Sequence, residues 1–191
     1  LDACHRKDGV SYGRKNYQWT DTEIPDAQRN WLKETLAKDT QPTLVFVHQR
    51  LDVEGNYGIH SAPAVRKILE DSGQVAAVFQ GHNHVNEHKT INDVHYLTIN
   101  AVIEGPAPEN NAFSILEYSP SSQAIRVDGF YNQANYSLGF AIVQLGYAFL
   151  SQESSRGTLE ANLNPMLLSW PLRIHRVGIV HCRCHHSFSD T

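Results

Sequence analysis

"TLVFVHQRLDVEGNYGIHSAPAVRKILEDSGQVAAVFQGHNH", residues 43–84, decides the fold. It opens on a short continuous apolar run, 43–47, which reads as a strand buried on both faces. "APAVRKILEDSG", 62–73, reads as a helix, with Val65, Ile68 and Leu69 turned inward and Gly73 as its stop. "VAAVFQ", 75–80, is a second buried strand. A strand–helix–strand unit is almost always a right-handed crossover between parallel neighbours. Parallel strands end on the same edge of the sheet, and open α/β sheets bind ligands outside that edge. His48 follows the first strand directly, and Gly81-His82-Asn83-His84 follows the second. Two segments distant in sequence are therefore expected to meet at one rim with three imidazoles between them.

Upstream of this unit, a helix is expected from Pro25 to about Lys38. Proline is tolerated at the first helical position, and Asp26 suits the positive end of the helix dipole. Trp31, Leu32, Thr35 and Leu36 form its apolar stripe. Residues 1–22 are polar and turn-rich, with aromatics at Tyr12, Tyr17 and Trp19. The opening "LDAC" reads as the end of a strand already under way, so the natural start is expected to lie upstream. Downstream, "VHYLTINAV", "AFSILEYS" and "AIRVDGFY" read as antiparallel strands separated by turn residues.

Composition narrows the function. At 191 residues the chain suits one domain with or without an appendage, and 41% apolar residues suit a packed core. The net charge is −4 with no basic run, so a nucleic-acid partner is not expected. Three cysteines, Cys4, Cys182 and Cys184, make no disulfide framework. After about residue 136 the composition shifts, and Lys89 is the last lysine. "LGFAIVQLGYAFL", 138–150, is too short to span a bilayer, which needs about 20 residues. The chain is accordingly divided into residues 1–136 and an appended tail, 137–191. Any export signal would lie upstream, so the compartment stays open.

Three converging imidazoles have a common chemical reason. Neutral imidazole is a good ligand for zinc, iron and manganese. Gly81 lets the backbone turn so that His82 and His84 project into the rim, where they can bind one or two ions. His48 alone would more often be a satisfied core histidine. Its placement opposite the H-x-H pair favours a metal site.

These residues resemble the calcineurin-like metallophosphoesterases. "VFVHQ" and "VFQGHNH" look like the family's last two motifs, an isolated His after a strand and G-H-x-H. "IPDAQRNWLKETL" resembles its P-x-Q-x-x-W-L helix. "YLTINAVIEGPAPENNAFSILEYSP" is most similar to the manganese-dependent ADP-ribose/CDP-alcohol diphosphatase group. The resemblance covers about residues 1–136. It implies part of a four-layer α/β/β/α sandwich with its N-terminal half missing, and a centre of two divalent metals (Mn, Fe or Zn). By motif position, His48 and His82 would ligate the second metal and His84 the first.

The family's earlier motifs, D-x-H, G-D-x-x-D and G-N-H-E/D, do not occur ahead of G-H-N-H in this sequence. They carry the bridging Asp and the general acid/base His, so the catalytic residues are expected upstream. Two dications about 3.5–4 Å apart need a bridging anion, which three neutral histidines do not supply. The local carboxylates are Asp2, Asp52, Glu54 and Glu104, none at a family ligand position. Asp52 either reaches the rim or is a solvated loop residue. Asn56 and His60 either face substrate or line a surface loop.

The expected activity is hydrolysis of a phosphoester or phosphoanhydride in a phosphorylated small molecule. A metal-bridging hydroxide would attack, and the chain by itself would be incomplete and inactive. The alternative is a non-catalytic metal-binding or interaction module. It would use the same histidines or the tail cluster His181, Cys182, Cys184, His185 and His186, although one crowded segment surrounds a zinc ion poorly.

Overall fold

The computed structural model describes residues 1–119, 121–140 and, as backbone, 178–180. Helix α1 spans Asp26–Lys38, strand β1 Thr43–Phe46, helix α2 Ala62–Ser72 and strand β2 Val75–Gln80. Then come β3 (Glu87–Ile91), β4 (Val94–Thr98), β5 (Phe113–Ser119), β6 (Ala124–Phe130), β7 (Tyr136–Gly139) and β8 (Gly178–Val180). Two four-stranded sheets result, ordered β1-β2-β4-β3 and β7-β6-β5-β8.

The expected strand–helix–strand unit is present, and β1 and β2 are parallel. Every residue of β2 is buried, as a strand covered on both faces requires. Helix α2 packs Val65 and Leu69 fully into the core. It ends at Gly73, whose φ of 64° is the left-handed conformation that glycine adopts without a Cβ clash.

Two apolar layers flank β2. On one side Leu32 and Leu36 of α1 and Val65 and Leu69 of α2 meet Val45, Val78, Val94 and Tyr96. On the other side Ala77, Phe79, Leu97 and Ile99 face Leu116, Ile125, Val127, Leu138 and Phe140 of the second sheet. The described residues thus form α/β/β layers of a mixed sandwich, and both described helices lie on the first sheet.

Two expectations are corrected, and one proposed boundary is placed against the strands. The stripe on α1 is narrower than its sequence implied. Leu32 and Leu36 are buried, whereas Trp31 is 55% exposed and Thr35 also faces outward. The segment from Val94 is not part of an antiparallel meander with the strands after it. β4 pairs parallel with β2 and antiparallel with β3, a strand the sequence reading did not find. β3 and β4 are joined by Asn92-Asp93, both at positive φ, as a tight hairpin turn requires. Lastly, the boundary at residue 136 falls inside β7, whose Leu138 is buried between the sheets. β8 pairs with β5 through Ser114–Leu116. The other tail residues, including His181, Cys182, Cys184, His185 and His186, lie outside the described residues. Among the described residues no helix is long and apolar enough to cross a membrane.

Candidate metal centre

The parallel ladder brings His48 and His82 together at the C-terminal ends of β1 and β2. The Val47 amide donates to Phe79 O at 3.0 Å, and the Gly81 amide donates to His48 O at 2.9 Å, so the two chains stay paired past their strands. His48 Nε2 then lies 3.2 Å from His82 Nδ1, with the rings nearly perpendicular.

The turn that aims His82 is strained. The Asn83 amide donates to Gly81 O at 3.0 Å, closing a three-residue turn centred on His82, whose φ is 77°. That is the rare, costly form of γ-turn. His84 also has positive φ, 53°. Non-glycine residues held this way cluster at functional sites, where their surroundings over-determine them.

His84 is not gathered into a single group with the other two. Its Nδ1 contacts Glu104 Oε1, both side chains being partly exposed. Among the described residues no set of three or more His, Cys, Asp or Glu side chains is assembled. The contact still has a meaning for ligation. A carboxylate on one ring nitrogen fixes a histidine's orientation and leaves Nε2 for an ion. The sequence did not reveal the contact of Glu104 with His84, because twenty positions separate the two and no motif links them.

The other carboxylates are accounted for. Asp52 is not a solvated loop residue. It is buried, with Arg50 bidentate on it at 2.6 and 2.9 Å. Lys89 Nζ lies 3.2 Å from it, and Gln80 Nε2 also donates to it. Burial opposes its charge, but these donors outweigh burial and hold its carboxyl below the usual range. Asp2 accepts from the Cys4 amide, and Glu54 is exposed.

Of the two residues expected to face substrate, His60 is tied to Asp21 at 2.9 Å. Asn56 is exposed in the turn beyond Gly55. Its neighbour Tyr57 is better placed. Tyr57 and Trp19 lie edge-on to the His82 ring, with centroids 5.9 and 5.5 Å away, and against each other at 5.6 Å. Both remain partly exposed. Two buried acceptors in the same segments, Gln49 Oε1 and Asn83 Oδ1, meet no hydrogen-bond donor among the described residues. Buried acceptors ordinarily have one.

Two imidazole nitrogens this close, a third histidine braced by a carboxylate and unmet acceptors suit a hydrated cation. Residues 5–86 match the calcineurin-like phosphoesterase family. The matched segment runs from the N-terminal turns through G-H-N-H and stops before β3. A crystal structure of a dimetal phosphatase from Danio rerio superposes on the chain with a TM-score of 0.52 at 17% identity. The alignment covers 63% of this chain and 40% of that one, so the chain spans less than half of that phosphatase. At that identity the likeness is one of fold. No curated protein matches the chain.

Proposed function

We propose that the chain supplies the histidine-bearing part of a metal-dependent phosphoesterase centre. The observation that carries this reading is the His48–His82 pair at the joined ends of two parallel strands, 3.2 Å between ring nitrogens. His48 Nε2 and His82 Nδ1 would hold one divalent ion between them. His84 would offer Nε2 to a second ion, with Glu104 bracing Nδ1. Bound divalent ions in such a site activate water and neutralise charge on a transferring phosphoryl group. Manganese, iron and zinc all suit this donor set.

The chain's own residues have narrower tasks. His48 and His82 position the ion, and the Arg50–Asp52–Gln80 cluster keeps their two loops in register. Trp19 and Tyr57 present an aromatic wall beside His82 against which the organic part of a phosphorylated small molecule would rest. A phosphodiester and a nucleoside-diphosphate type of substrate both suit that wall. The ADP-ribose/CDP-alcohol diphosphatase-like group remains the proposed subgroup.

Among the described residues no set of three His, Cys, Asp or Glu side chains is assembled, so they do not provide the full ligand set of a two-metal centre. The 191-residue chain is therefore expected to hydrolyse bis(p-nitrophenyl) phosphate poorly with manganese. Fusing it to a segment bearing D-x-H and G-D-x-x-D is expected to switch turnover on, and His82→Ala in the fusion to abolish it. Metal-dependent turnover by the 191-residue chain that survives His82→Ala would overturn the assignment.

A further inference from the structure

A second imidazole pair stands apart from the rim. In the β3–β4 ladder His88 is opposite Leu97 and Thr90 is opposite His95, so His88 and His95 are diagonal neighbours on one face. Leu97 on that face packs into the layer between the sheets. The pair therefore stands at the margin of the inter-sheet space, with Tyr136 and Gly139 of β7 across from it. His95 is in register with Ala77 and Thr98 with Gln80. That sets His95 three residues back from the strand ends, roughly 10 Å along the sheet.

The hydrogen bonds fix one tautomer. His95 Nε2 lies 2.7 Å from Gly139 O. A carbonyl only accepts, so Nε2 carries the proton, and the neutral ring has its lone pair on Nδ1. That Nδ1 faces His88 Nε2 at 3.1 Å. Thr90 Oγ1 lies 3.1 Å from the same atom. Two imidazole nitrogens on one tetrahedral zinc ion, each bonded at 2.0–2.1 Å, are about 3.3 Å apart. The observed pair needs to open by about 0.2 Å to reach that spacing.

We propose that His88 Nε2 and His95 Nδ1 form a two-imidazole chelate for a borderline divalent cation of the zinc, nickel or copper class, separate from the rim. His88 would shift its proton to Nδ1 and present Nε2, while water completes the shell. Hard cations such as magnesium and calcium seek oxygen ligands and are excluded by this donor pair. The Gly139 carbonyl is the outer partner that a metal-bound imidazole ordinarily has. Burial, and then the neighbouring His95, hold His88 below its ordinary range, which keeps it neutral and able to ligate. Because His95 is tied to β7, an ion here fastens the β3–β4 hairpin to the second sheet.

The test is a zinc titration of the 15N-labelled 191-residue chain near neutral pH, followed in long-range 1H–15N spectra that resolve each imidazole nitrogen. His88 Nε2 and His95 Nδ1 are expected to move together to metal-bound positions, with His95 Nε2 still protonated. His88→Gln keeps a polar side chain on an exposed strand position. It is expected to weaken the His95 response at least about tenfold, while the responses of His48, His82 and the 181–186 segment persist. An amide spectrum that matches the parent outside β3 and β4 shows that the variant has folded. Zinc shifts confined to the rim and the 181–186 segment would overturn the proposal and leave His88–His95 as a structural hydrogen bond. So would a His95 response indifferent to His88→Gln.

Discussion

At the residue scale the most informative position is His82. Its φ of 77° puts an L residue where only glycine is at ease, and its side chain meets His48, Trp19 and Tyr57. A sequence without selection on that ring would place glycine there. This separates two costs by comparing two substitutions. His82→Ala and His82→Gly both lose the ring, and with it the proposed metal ligand, but only alanine retains the strained backbone. The glycine variant is expected to be more stable than the alanine variant by about 1 kcal/mol, measured by urea unfolding. Equal stability would mean that the turn is not strained. The sequence made the histidine visible through its place after a buried strand. It could not show the γ-turn, because nothing in G-H-N-H says which residue takes the positive φ.

At the element scale, the loops that follow β1 and β2 are locked by Arg50, Asp52 and Gln80. Gln80 accepts from the Leu51 amide at 2.9 Å and donates to Thr98 Oγ1 at 3.1 Å, and Arg50 reaches Glu87 on β3 at 2.7 Å. Arg50 and Asp52 side chains are 3% and 1% exposed, so removing one partner leaves a buried charge. Asp52→Asn is expected to cost about 3–5 kcal/mol. A double replacement, Arg50→Met with Asp52→Leu, should cost less than the single change, since no lone charge remains. Unfolding titrations of the three proteins decide this. The pH dependence has a definite sign. Arg50 and Lys89 draw Glu87's carboxyl down as well, the Arg50 hydrogen bond being the largest influence. For both acids the folded state binds fewer protons than the unfolded chain. Their contribution is full above about pH 4–4.5 and is lost as pH falls through the folded values. Stability measured from pH 6 to pH 2 should therefore drop below about pH 4, and Asp52→Asn should flatten that slope.

The same elements show what was legible. β1, α2 and β2 were readable because continuous apolar runs and a 3.6-residue stripe leave few alternatives. β3, "EHKTI", was not, because it is a polar edge strand whose residues alternate between partly covered and exposed. Sheet order was also hidden. The apolar residues of β4 suit a strand in either sheet, and the missed β3 is what returns the chain to lie parallel with β2. Asp52 was misread for a related reason. Two charged residues in a loop look solvated until Gln80 and Lys89, distant in sequence, are brought against them.

At the scale of the whole molecule, the second sheet closes over the first through Leu116, Ile125, Val127, Leu138 and Phe140. Leu138 and Phe140 lie beyond the boundary that composition suggests, so where the chain is cut should matter sharply. Ending at Tyr136 removes both side chains, Gly139 O and most of β7. Burying two such side chains is worth about 3–6 kcal/mol, and a domain of this size shifts by about 2–4 °C for each kcal/mol. A fall in Tm of roughly 6 °C or more is expected for that truncation. Ending after Phe140 keeps the inter-sheet layer and removes β8, whose described pairing with β5 is three residues long at the sheet edge. A change of a few degrees is expected there. The remaining tail, including the apolar stretch 141–150, is proposed to be dispensable for the core. Thermal melts of the two truncations beside the full chain separate the possibilities. A large fall for the Phe140 truncation as well would show that residues beyond 140 belong to the fold. No fall for the Tyr136 truncation would show that Leu138 and Phe140 do not hold the sheets together.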